Sequence, residues 1–186
     1  MKVLKIIVSA FLITCIALSA MSCQNKNSDV PKGMQAVESD FVDFKLFVPE
    51  AWTPDVTQGF VSAFIPEDKS NVSVTAMTGT RSYTSFNEYL DIYLSELAGT
   101  YAGYEYIESE SRVPTDEVPE TGITLGGADA ARIVFKIKTG DATYKYMQVI
   151  CSHGYIYTLT YTALEEKFDS HLEAVDKIIS EFKFTK

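Results

Sequence analysis

The sequence has little cysteine, histidine, tryptophan or positive charge: three Cys, two His, one Trp and 16 Lys or Arg among 186 residues. Outside the apolar N-terminal stretch and the polar residues that follow it, only Cys151, His153 and His171 could offer sulfur or nitrogen to a metal. They stand at no recognised ligand spacing, and a zinc site needs three or four ligands. The 25 acidic side chains outnumber the basic ones and give a net charge of −9, which excludes a general nucleic-acid binder that neutralises phosphates with a basic face. There is no internal repeat, and no apolar run reaches the roughly 20 residues of a membrane span. A chain that is 46% hydrophobic is not disordered, and its length suits one folded domain of about 100–200 residues.

The longest apolar run, Ile6–Met21, follows Lys2 and Lys5 and is broken only by Ser9, Thr14 and Ser19. That is the make-up of a secretory leader. It ends in Leu18-Ser19-Ala20-Met21-Ser22-Cys23 and turns abruptly polar at Gln24. Small residues before a Cys resemble the lipobox of bacterial lipoproteins, with Met21 and Ala20 making this one looser than the commonest form. The resemblance implies cleavage after residue 22, acylation of Cys23 with palmitate-type chains, and a lipid-anchored protein on the extracytoplasmic face of the cell membrane. An ordinary signal peptide with an incidental Cys is the alternative. Loss of Lys2 and Lys5 with the leader deepens the net charge from −9 to −11. Cys15 leaves as well and Cys23 is acylated, so Cys151 has no disulfide partner and packing must hold the fold. Two acyl chains anchor stably where one is marginal.

Residues 23–40 read as a lipidated flexible tether and residues 41–186 as the folded domain. From Phe41 onward, alternation predicts strands at Phe44–Val48, Phe60–Ile65, Val72–Met77 and Tyr104–Val113. Asn71-Val72-Ser73 matches a glycosylation sequon, which a bacterial lipoprotein makes irrelevant. Ser85 and Glu88 form a capping box, Phe86, Tyr89, Leu90, Tyr93, Leu94 and Leu97 follow helical spacing, and Gly99 is the expected stop. A second helix is predicted over 164–181. Gly140-Asp141 and His153-Gly154 read as two-residue hairpin turns. Pairing outward from them sets Ile137 against Tyr144 and Phe135 against Tyr146, then Ile150 against Tyr157 and Tyr146 against Tyr161. The predicted core face carries Ile133, Phe135, Ile137, Tyr144, Tyr146, Ile150, Tyr157, Leu159 and Tyr161; the tyrosines could instead line a pocket. The other face, with Val134, Met147, Val149 and Cys151, is too apolar for full exposure. The expected fold class is α+β, an antiparallel β-sheet flanked by helices on both faces.

These residues resemble a family. Phe44-Lys45-Leu46-Phe47-Val48-Pro49-Glu50-Ala51-Trp52, Gly126-Gly127-Ala128-Asp129-Ala130-Ala131-Arg132, Tyr146–Ile150, Tyr155–Ala163 and the closing Ile179-Ser180-Glu181-Phe182-Lys183-Phe184 resemble, in order and spacing, the strands and last helix of PsbP-like domains. The resemblance spans Phe41 to Phe184 and implies a PsbP-like three-layer sandwich and non-catalytic binding to a larger partner. It carries over no functional residues.

No catalytic constellation is present, so the protein is expected not to be an enzyme. Cys151 and His153 lie two apart, but a nucleophile needs a base and oxyanion donors, and His153 is explained as a turn residue at positive φ. Gly126-Gly127 is followed by neither a Lys-Ser/Thr pair nor a helix, so it is no phosphate loop. The acidic loop at Asp116, Glu117 and Glu120 could offer oxygens to calcium, without EF-hand spacing. Arg132, Lys136, Lys138 and Lys145 share a face, which reads either as a solvated edge or as a docking patch for an acidic partner. The expected function is a binding or assembly module for a protein partner, with no cofactor, no nucleic acid, a membrane contact through Cys23 and a monomeric domain. A small-ligand or metal-ion binding lipoprotein is the alternative.

Overall fold

The β8–β9 hairpin sets the frame: Ala128–Thr139 and Ala142–His153 pair antiparallel across the two-residue turn Gly140-Asp141, with Ile137 opposite Tyr144 and Phe135 opposite Tyr146, the register expected from the sequence. The computed structural model describes residues 29–57, 60–77, 83, 85–111 and 122–186. In chain order the elements are β1 (Met34–Val37), β2 (Phe44–Pro49), β3 (Thr53–Thr57), β4 (Phe60–Phe64), β5 (Asn71–Met77), α1 (Phe86–Thr100), β6 (Tyr104–Ser111), β7 (Thr124–Leu125), β8, β9, β10 (Tyr155–Leu164), α2 (Glu165–Phe168), a 3₁₀ turn (Asp169–His171), α3 (Leu172–Glu181) and β11 (Lys183–Phe184). One eight-stranded sheet runs β3-β4-β5-β10-β9-β8-β6 with β7 beside β8, and a small sheet runs β1-β2-β11. The fold is α+β around a large antiparallel sheet.

The second hairpin differs from expectation by one residue. Its turn is centred on Gly154 at φ +74°, so Tyr157 faces Cys151, Leu159 faces Val149 and Tyr161 faces Met147. Glycine takes this left-handed backbone without steric cost, so His153 needs no positive φ and ends β9 as a strand residue. Because side chains alternate along a strand, a one-residue slip moves a whole set to the other face. Tyr157, Leu159 and Tyr161 therefore leave the predicted core face and join Val72, Val74, Val134, Met147, Val149 and Cys151. All nine are buried.

Helix α1 covers part of the first face. Ser85 Oγ accepts the Glu88 backbone N–H at 3.1 Å, the expected cap. Tyr89 and Leu90 pack on Ala131, Ile133, Phe135, Ile137 and Ile150. Gly99 does not stop the helix, which runs on to Thr100. The needed glycine is Gly103, where a Cβ would stand 2.6 Å from the Lys138 carbonyl oxygen.

The second face is met by a mixed cover rather than by helix alone. Phe44 of the small sheet packs edge-on against Tyr157, and Tyr161 Oη donates to the Phe168 carbonyl at 2.9 Å while its ring contacts the Phe168 ring. One further element falls where the sequence showed no periodicity, and one predicted element is interrupted. Met34–Val37, inside the expected tether, pairs with β2 and buries Met34 and Val37. The predicted second helix breaks at Asp169–His171, where Asp68 Oδ2 meets His171 Nε2 at 2.8 Å. Gln35 Nε2 donates to the carbonyls of Pro49, Glu50 and Trp52 at 2.7–3.3 Å, which fixes the Pro49–Trp52 corner.

Candidate functional site

The register that buries Tyr157, Leu159 and Tyr161 turns Thr158, Thr160 and Thr162 toward the first face, beside Ser73 and Thr75 of β5. Helix α1 stops short of this half of the sheet. Between helix and threonines lies a cleft of about 440 Å³, lined by Thr75, Met77, Gln148, Thr158 and Thr160 from the sheet and by Tyr89, Ile92, Tyr93 and Glu96 from α1, with Tyr83 beside them. The volume falls in the range of about 300–1,000 Å³ usual for small-molecule pockets.

The helical wall is aromatic because Phe86, Tyr89 and Tyr93 recur at three- and four-residue spacing, which places them on one stripe. Their rings are nearly parallel, with Tyr89–Tyr93 centroids 5.8 Å apart and Phe86–Tyr89 6.3 Å apart. Tyr83 meets Tyr89 edge-on at 5.0 Å. Burial pushes the Tyr89 hydroxyl up to about 12 and also raises Tyr93, so both stay neutral donors at physiological pH. The floor is polar. Tyr93 Oη donates to Gln148 Oε1 at 2.8 Å, and Gln148 Nε2 reaches Thr160 Oγ1 at 3.4 Å. Gln148 is only 8% exposed. A buried polar side chain on a sheet face is costly unless hydrogen-bonded, and this one links the helix to the threonine row.

The residues singled out from the sequence lie elsewhere. Arg132, Lys136 and Lys145 share the second face, and Lys136 is opposite Lys145. Each meets a carboxylate: Arg132 with Asp176 at 3.8 Å, Lys136 with Glu165 at 3.1 Å and Glu105 at 3.2 Å, and Lys145 with Asp169 at 3.5 Å. Hydrogen bonds to Glu165 and then Glu105 raise the Lys136 ammonium above its ordinary value. No carboxylate of the described residues pairs with Lys138. Three of the four cations thus balance charge locally and tie the C-terminal helical segment to the sheet, and Lys136 also links β8 to β6 through Glu105.

Cys151, His153 and His171 are not brought together. Cys151 is fully buried, and burial pushes its thiol up to about 12, which leaves no thiolate for attack. His153 stacks on Phe184 at 4.2 Å with Nε2 3.2 Å from the Lys186 carbonyl. His171 pairs with Asp68. Among the described residues no group of three or more His, Cys, Asp or Glu is placed to hold a metal. Cys23, Asp116, Glu117 and Glu120 lie outside the described residues. No helix among the described residues is long and apolar enough to cross a membrane. Tyr157 and Tyr161 fill the core, and Tyr146 stacks on Phe135 at 5.0 Å. Of the cleft tyrosines, Tyr89 and Tyr93 come instead from α1, whose spacing showed the stripe but not that the stripe is wider than its cover.

A large antiparallel sheet with two helical segments and a small second sheet is a PsbP-like fold. Cyanobacterial PsbP (CyanoP) from Synechocystis sp. PCC 6803 superposes with a TM-score of 0.58 at 14% identity, over 87% of this chain and 98% of that one. PA94 from Pseudomonas aeruginosa, of unknown function, gives 0.54 at 13% identity, over 77% and 92%. LpqN of Mycobacterium tuberculosis, a protein involved in cell envelope biogenesis, gives 0.52 at 17% identity, over 77% and 83%. At these identities the likeness is one of fold. No family model matches the sequence, and no curated protein matches it either.

Proposed function

We propose that this protein is a non-catalytic, extracytoplasmic binding module, held to the membrane by an acylated Cys23 and engaging its ligand in the cleft between α1 and the threonine row. The single observation that carries the binding half is the cleft floor, where Gln148 is buried and hydrogen-bonded across to Tyr93 beside the threonine row. The non-catalytic half is supported by the inert burial of Cys151 and by His153, whose Nε2 meets the Lys186 backbone oxygen and whose ring stacks on Phe184. The anchor is supported by the lipobox-like run ending at Cys23.

Two experiments test it. Thermal melting against a broad small-molecule library is to be run on the native chain and on Thr158→Trp, which fills the cleft. Ligand binding to the native state raises Tm by mass action, so hits on the native chain are expected to vanish in the filled variant. Hits that persist there would place binding elsewhere. Metabolic labelling with palmitate should mark the native chain and spare Cys23→Ser; equal labelling of both would remove the anchor.

A further inference from the structure

From the cleft's lining we infer that it is a saccharide site, taking one or two neutral sugar rings; this rests on the binding reading above. Charge is the first discriminator. Among the described residues no Lys, Arg or His lines the cleft, and the one charged lining residue is the exposed Glu96. On a chain of net charge −9, phosphates and carboxylates find no counter-charge among these residues. The second discriminator is the grid of hydrogen-bonding groups. Thr75 stands opposite Thr158, and Gln148 opposite Thr160, on neighbouring strands. Cross-strand neighbours of this kind sit about 5 Å apart, and same-face residues along one strand about 7 Å apart. Hydroxyls at that spacing both donate and accept, as the hydroxyls of a sugar ring require, whereas a purely apolar ligand would leave them unpaired.

Gln148 supplies the third observation. Its amide has two N–H groups, one at 3.4 Å from Thr160 and the other without an acceptor among the described residues. Tyr93 holds the amide in place from the helix side. A nine-tenths-buried donor on the floor of an open cleft is a hydrogen bond waiting for an acceptor. Opposite it, the partly exposed Tyr83 and Tyr93 offer ring surface against which the C–H face of a sugar packs, with Met77 and Ile92 as apolar margins; Tyr89 between them is itself buried. Aromatic side chains that combine flat apolar area with a polar tip suit such a two-sided ligand.

The test uses the full chain in a non-glycosidic detergent, with maltose, cellobiose and N-acetylglucosamine as probes, read by thermal melting and by saturation-transfer NMR. At least one sugar is expected to raise Tm and show transfer. Thr158→Val and Gln148→Met should each weaken it about five- to tenfold, the loss of roughly one net hydrogen bond, while Thr162→Val, on the same face outside the cleft, leaves it unchanged. No response to any of the three sugars overturns the saccharide assignment, as does a response that Thr158→Val does not weaken. If library hits of another chemistry are lost in Thr158→Trp while the sugars fail, the cleft reading stands and only the ligand class falls. If sugar binding survives Thr158→Trp, both fall.

Discussion

The two faces of the large sheet are built from the same strands and treat water differently. On β10, Tyr157, Leu159 and Tyr161 are fully buried, while Thr158, Thr160 and Thr162 between them are half-exposed. On β5, Val72 and Val74 are sealed and Thr75 is open. The second face is closed along the central strands by Phe44, Phe168 and their neighbours. The first is closed only over β8 and the facing part of β9, where α1 lies on Ile133, Phe135 and Ile150. The sealed face is invested in stability, and the half-covered face keeps hydrogen-bonding side chains in reach of solvent beside an aromatic wall. Function is to be sought on the second kind of surface, since an unpaired polar row contributes little to folding.

Two residues of one strand sharpen the contrast most. Leu159→Ala should cost about 2–5 kcal/mol of unfolding free energy, as large-to-small changes at fully buried sites do. Thr162→Val, three residues on and facing the other way, should stay within about 0.5 kcal/mol. Urea unfolding of the two variants measures both. Comparable losses would mean that the first face is sealed too, and that the cleft is closed in solution.

Gln148 comes next, because it belongs to both worlds: buried like the core, polar like the cleft. Gln148→Leu leaves the Tyr93 hydroxyl without its acceptor and should cost about 1–3 kcal/mol. Adding Tyr93→Phe should recover most of that loss, since removing both partners leaves nothing unsatisfied. A double variant no better than the single would show that the amide is held by packing rather than by Tyr93. Smaller again is the cap of the helix that builds the cleft wall. Ser85→Ala removes the acceptor of the Glu88 N–H and should cost about 1 kcal/mol, read as a lower Tm.

Much of this was legible beforehand, and the exceptions have physical causes. The Gly140-Asp141 hairpin and its register were readable because Gly sits where a primed turn needs positive φ. The next turn misled because His153-Gly154 has the same appearance, while the chain turns on Gly154 alone; that single residue moved three large side chains across the sheet and hid the threonine row. β1, β7 and β11 have two to four residues each, too few to show a period, and their pairing depends on distant partners. β3 contains Pro54, tolerated at a sheet edge. The basic cluster was located correctly on one face, but its carboxylates come from β6 and from the C-terminal helical segment, which no local pattern joins to β8 and β9. The α1 stripe was clear from spacing; the cleft was not, because it exists only where that stripe overhangs β10 and β5.

The last contrast is electrostatic. The cover of the sealed face is pinned by Asp68, beside Tyr161 and paired with His171, on whose ring Trp52 packs edge-on at 6.4 Å. Burial alone would raise the Asp68 carboxyl, but hydrogen bonds from His171 and from the Ser70 backbone N–H outweigh it and hold the group below its ordinary 3.8. A lowered folded value means that the unfolded chain binds the proton first, so this contribution is present above pH 3.8 and is lost as pH falls through the folded value. The buried side chains that join α1 to the sheet are uncharged and have no such dependence. Urea midpoints measured from about pH 6 to about pH 3 should therefore fall more steeply for the native chain than for Asp68→Asn, which starts lower and lacks this titration. Hydrogen exchange in the same acid window should open the Asp169–His171 turn before α1. Parallel acid profiles for the two chains, or α1 opening first, would show that the sealed face does not depend on this pair.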